Sequence, residues 1–184
     1  MIYKSPLLFT FVIILIMNAF ASDFSAEEPI LITSAGQSSD ALMAKILAEK
    51  AGLNFIYDKN ASPEKTDSVE TIIIVSGGSV KGMGAAGIDK EQEYERVHNL
   101  IDRAHKNNKK IICVHVGGQS RRGKLSDYFN LLVAENSDMI IVVKEGDNED
   151  KFFSNIAKDK NIAIEIPEKI INITDIFKNI FGKN

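Results

Sequence analysis

Cysteine is almost absent from this 184-residue chain: Cys113 stands alone, so no disulfide can close within it, whatever the redox compartment. It lies inside an apolar strand pattern and reads as core filler rather than as a nucleophile. A basic excess is also missing. Once the first 21 residues are set aside, 21 basic residues face 25 acidic ones, a net charge of −4, which argues against a nucleic-acid partner. The usual catalytic signatures are lacking too. There is no Gly-x-Ser-x-Gly elbow, no Cys-x-x-Cys, no His-Glu-x-x-His and no Gly-Lys-Ser or Gly-Lys-Thr, so the common hydrolase, redox, zinc and P-loop chemistries have no carrier. No paired acid and base declares itself, and no catalytic residue, cofactor or metal is assigned. His98 and His105 fall seven residues apart on one helix with no cysteine companion at ligand spacing, and read as surface residues.

What is present begins with a targeting pattern. Lys4 precedes an apolar run of 11 residues, Leu7 to Met17, and Ala19-Phe20-Ala21 forms a small-x-small cleavage site before Ser22. A membrane helix needs about 20 apolar residues, and this run stops at Asn18. The expectation is a cleavable signal peptide over residues 1–21, export to the periplasm or beyond, no stable membrane anchor after cleavage, and a single domain over 22–184 of 163 residues. No cysteine lies near the cut to receive a lipid. A domain of that size buries close to 70% of its unfolded surface and needs no metal or disulfide to stay folded.

Along the domain, short Ile/Val-rich runs alternate with helix-period segments, the sign of βαβ units and a parallel sheet. Strands are expected at Pro29 to Thr33, Asn54 to Tyr57, Thr71 to Val75, Lys110 to Val116, Met139 to Val143 and Ile162 to Ile166. Helices are expected after Asp40, with Leu42, Ile46 and Leu47 facing the core; after Asp89, where Gln92 completes a capping box; from Ser126 or Asp127; around Phe152 to Ala157; and around Ile173 to Ile180. Asp58 to Glu70 reads as an irregular excursion. The fold class is α/β, a three-layer αβα sandwich with a mostly parallel sheet of five or six strands, Rossmann-like or flavodoxin-like. Ligands of such folds bind beyond the carboxyl ends of the strands.

Three strand-to-helix loops then become candidates. The first holds Ser34, Gly36, Gln37 and Ser38, the next Ser76, Gly77, Gly78 and Lys81, and the last Gly117, Gly118, Gln119, Arg121 and Arg122. Glycine amides and neutral hydroxyls suit an oxygen-rich small molecule, and guanidinium groups suit an anion. The plain alternative is that glycines make turns and serines cap helices. Gly36-Gln37-Ser38 and Gly118-Gln119-Ser120 repeat one tripeptide, which would set two glutamines around one ligand or be chance. His115, near the end of its strand, is either a ligand contact or a satisfied core histidine. Gly82-x-Gly84-x-x-Gly87 matches a dinucleotide fingerprint only formally, since it opens neither the first βαβ unit nor the segment directly after a strand.

The segments Leu31 to Ser38 (LITSAGQS), Gly77 to Gly87 (GGSVKGMGAAG) and His115 to Gly123 (HVGGQSRRG) resemble those of a family of short exported bacterial proteins classed only as a domain of unknown function. The resemblance implies an extracytoplasmic protein and supplies no activity. The leading expectation is a binding protein for a small anionic or polar metabolite, with Lys81, Arg121 and Arg122 neutralising it. The alternatives are a hydrolase or transferase pairing His115 with Ser34 or Ser76, and an interaction or scaffold domain marked by an exposed apolar patch.

Overall fold

A computed structural model describes residues 24–147 and 149–183. The expected signal peptide and its cleavage site lie outside them. Six strands form one all-parallel sheet: β1 (Ile30–Ala35), β2 (Phe55–Tyr57), β3 (Thr71–Ser76), β4 (Lys110–His115), β5 (Met139–Val142) and β6 (Ala163–Glu165). Their order, β2-β1-β3-β4-β5-β6, is the flavodoxin-like one, and the direction of winding reverses between β1 and β3.

The central strands are covered on both faces, which is why they read as unbroken apolar runs. Every residue of β1 and β3 is buried. One face carries α2 (Val80–Ala86), α3 (Lys90–Lys106), α4 (Lys124–Ala134) and α5 (Phe152–Lys160), packed through Met83, Val97, Leu100, Phe129 and Phe153. The other carries α1 (Asp40–Lys50) and α6 (Ile173–Ile180), packed through Ala41, Ala44, Leu47, Ile173 and Phe177. Alternate residues of β4 serve the two cores, with Cys113 on the first side and Ile112 and Val114 on the second. No helix of the described residues is long and apolar enough to cross a membrane.

Four local expectations are corrected. On α1 the residues turned to the sheet are Ala41, Ala44, Leu47 and Ala48, and alanines let the helix lie close. Leu42 and Ile46 are therefore pushed outward, 51% and 37% exposed, beside Met43. Asp40 is the first helical residue and caps nothing, because Ser39 holds the cap position with helical φ/ψ. The glycine-rich stretch after β3 contains α2, capped by Ser79 through the Gly82 amide and closed by Gly87 in the left-handed region. In α4 the cap is Gly123 and the helix opens at Lys124, two residues before Ser126. The excursion before β3 holds one 3-10 segment, Pro63–Ser68. The Asp89–Gln92 capping box of α3 forms as expected.

Candidate functional site

Because all six strands run the same way, the three candidate loops gather at one edge of the sheet. The first two lock onto each other rather than face outward. Gly77 donates its amide to the Ala35 carbonyl at 2.9 Å and Ser79 to the Gly36 carbonyl at 2.8 Å, and Gln37 forms an isolated bridge with Gly78. The Gly36 amide donates to the Glu93 carboxylate at 2.9 Å and the Gly78 amide to Ser126 Oγ at 3.1 Å. A side chain at Gly36 would stand 2.6 Å from the Gly77 carbonyl oxygen and 2.7 Å from the Phe129 ring. These amides are spent within the fold, so Gly36, Gly77 and Gly78 do not offer the ligand cradle expected of them.

The polar side chains of the same loops are also turned inward. Ser38 Oγ accepts the Asp40 amide at 3.0 Å. Gln37 is buried and donates Nε2 to Glu93 Oε1 at 3.1 Å, whereas Gln119 is exposed and reaches Glu149 at 3.4 Å. The repeated tripeptide therefore does not set two glutamines on one ligand. Ser34 and Ser76 are fully buried; the Ser76 hydroxyl lies against the Cys113 thiol at 3.7 Å and Ser34 Oγ has no partner.

His115 is completely buried beside Phe153, their ring centroids 5.2 Å apart. Its Nδ1 lies 3.0 Å from the Ser76 carbonyl oxygen. A carbonyl only accepts, so Nδ1 carries the proton and Nε2 keeps its lone pair. That Nε2 is buried and unpartnered, and loss of solvation holds the ring below its ordinary pKa and hence neutral. The hydroxyl pairing that a serine nucleophile needs is not made, since His115 binds the main chain of Ser76 and neither strand-end hydroxyl.

The two adjacent arginines part company. Arg122, 6% exposed in its side chain, holds Asp127 at 2.6 Å, Asp150 at 2.9 Å and the Gly146 carbonyl at 2.7 Å, and its guanidinium lies 4.4 Å from the Phe152 ring centroid. It ties α4 to the segment before α5 and is not free for an anion, contrary to expectation. Arg121 and Lys81 are exposed and make no ion pair among the described residues. Arg121 folds its stem over Gly117, where a side chain would meet Arg121 Cβ at 2.3 Å.

An open cleft of about 320 Å³ remains at this edge. It lies on the α6 side of β4 and β5, lined by Val116, Gly117, Gly118, Val143, Glu145, Glu168, Lys169 and Ile170. Unlike the amides of the first two loops, those of Gly117 and Gly118 donate to no described residue. Sequence reading selected these two glycines and missed the walls. It also missed Glu93, which is fully buried and accepts from the Gly36 amide, the Gln37 side chain and Arg96, the last at 2.8 Å. Arg96 continues to the carbonyls of Ser34 and Ala61. A signal was available: Glu93 falls in phase with Val97, Leu100, Ile101 and Ala104 on the buried stripe of α3, where an acid has no place unless it is paired.

No curated protein matches the chain. Among solved structures it is similar to two mutants of the esterase AlinE4. One shares 11% identity over 76% of this chain and 75% of that one, the other 9% over 88% and 85%, both at a TM-score of 0.32. A likeness of that size assigns no activity here. A family model does match, across residues 27–181. The chain accordingly belongs to the family described as Domain of unknown function (DUF6305).

Proposed function

We propose that this chain is a binding domain for a small polar ligand, exported by its N-terminal apolar segment and holding that ligand in the cleft beyond β4 and β5. The observation that carries the reading is that Gly117 and Gly118 line the cleft while their amides donate to no described residue. Backbone donors at the carboxyl end of a parallel sheet are the recognition elements such folds use. The cleft also falls within the volume range of small-ligand sites, about 300–1,000 Å³. With Arg122 committed elsewhere, the expected basic cluster is reduced to Arg121 and Lys81, neither of which lines the cleft; the cation on its wall is Lys169. A thermal-shift screen of the purified protein against amino acids, carboxylates, phosphates and sugars tests the reading. A ligand at a hundred times its Kd adds about 2.7 kcal/mol of stability, and Ile170→Trp, which fills the cleft mouth, should abolish the shift. A hit that survives Ile170→Trp would place binding elsewhere. Export is tested by sequencing the N-terminus of the protein from the extracytoplasmic fraction, where Ser22 should come first.

A second reading, an interaction domain, is favoured by the outer face of α1, where Leu42, Met43 and Ile46 are 51%, 40% and 37% exposed. Sedimentation of the protein with and without Leu42→Lys tests it. An association lost with that change would support the reading, and a monomer in both cases would remove it.

A further inference from the structure

We infer that the ligand of this cleft is a small zwitterion bearing an apolar substituent, the chemistry of a free amino acid with an aliphatic side chain; the inference rests on the cleft being the binding site. Three charged side chains line it. Glu168 is cancelled by Lys144 at 2.5 Å. Glu145 and Lys169 are exposed, carry opposite charges and form no ion pair with each other or with any other described residue. Two uncancelled opposite charges on one small cleft suit a ligand that is itself both anion and cation.

The remaining walls narrow the class. Val116 and Val143, 4% and 5% exposed, form the apolar floor, and Ile170 stands over it. A sugar would leave its hydroxyls against these side chains unpaired, at a desolvation cost. A phosphate would find the Gly117 and Gly118 amides and Lys169 but would face Glu145, whose Oε2 stands 3.1 Å from the point where a Gly118 side chain would begin. A carboxylate with an ammonium beside it meets all of these groups. The carboxylate takes the two amides and Lys169, the ammonium takes Glu145, and the aliphatic group covers the valines.

The test is titration of the isotopically labelled protein, followed at the Gly117 and Gly118 amide resonances. The probes are leucine, valine and methionine, N-acetyl-leucine, leucine amide, glucose and inorganic phosphate. A free amino acid should shift both amides, and its N-acetyl and amide derivatives should bind about tenfold or more weakly, each having lost one charge-assisted contact. Glu145→Gln should weaken leucine about tenfold and leave N-acetyl-leucine unchanged; Lys169→Met should do the same for leucine against leucine amide. Both side chains are exposed, so neither change threatens the fold. Equal binding of free and blocked forms overturns the zwitterion. If glucose or phosphate shifts the two amides and the amino acids do not, the cleft stands as the site and the zwitterion falls. If no probe shifts them, both fall.

Discussion

The Glu93 carboxylate of α3 accepts the Gly36 amide of the β1–α1 loop at 2.9 Å, across 57 positions of sequence. The same carboxylate is held by Arg96 from its own helix, so one buried ion pair fixes the loop at the point where the sheet reverses direction. Glu93→Ala leaves the Arg96 guanidinium and the Gly36 amide without their acceptor, and should cost about 3–5 kcal/mol. Glu93→Gln keeps an oxygen for Gly36 and should cost less. In urea unfolding, the Glu93→Ala and Arg96→Ala costs should sum to clearly more than that of the double variant. Strict additivity would mean that the pair does not act as a unit.

Arg122→Ala and Arg121→Ala should separate cleanly although the residues are neighbours. Arg122 bonds two carboxylates and a carbonyl and stacks on Phe152. Its partner Asp150 is half exposed, which screens that arm, so the expected loss is about 1–3 kcal/mol. Arg121→Ala should stay within about 0.5 kcal/mol. Paired denaturant curves decide it, and equal losses would contradict the assignment of Arg122 as the structural one.

Burial lowers the pKa of His115 in the folded state from the ordinary 6.5. The unfolded chain therefore takes up this proton first as the solution is acidified, so the neutral ring's contribution is complete above pH 6.5 and is lost progressively below it, until the depressed folded value is reached. His115→Gln, which retains a donor for the Ser76 carbonyl, should flatten the stability-versus-pH curve below 6.5. An unchanged slope would show that the ring is not held neutral.

Cys113 is fully buried, and desolvation pushes its thiol up to about 12. With almost no thiolate near neutrality, the native protein should resist a chromogenic disulfide reagent and react only at its unfolding rate or once denaturant is added. Rapid stoichiometric labelling of the folded protein would contradict this placement.

The strands were legible because each is a short Ile/Val-rich run bounded by turn residues; that reading found all six to within two residues at each end. The helix after β3 was not. Gly82 and Gly84 suppress the propensity of that stretch, while the Ser79 cap and packing of Met83 restore the helix. The core face of α1 was misread for the opposite reason. Size suggested Leu42 and Ile46, but close approach to the sheet selects Ala41, Ala44 and Ala48. For the site, sequence singled out glycines correctly as special but could not tell those that make room for another element, Gly36 for the β3 loop and Gly78 for Leu125 of α4, from those that line a cleft, Gly117 and Gly118. That distinction depends on which amides tertiary contacts consume.

The interlocking of the β1 and β3 loops divides the sheet edge into two regions with different tolerance to change. Substitutions at Gly36, Gly78 or Glu93 disturb the chain's own packing, so the left half of the edge, above β1 and β3, is closed to variation. The right half, above β4 and β5, is walled by Glu145, Glu168, Lys169 and Ile170, all solvent-facing. Rim charges can therefore be exchanged there, and the β6–α6 connection lengthened, at little cost to folding.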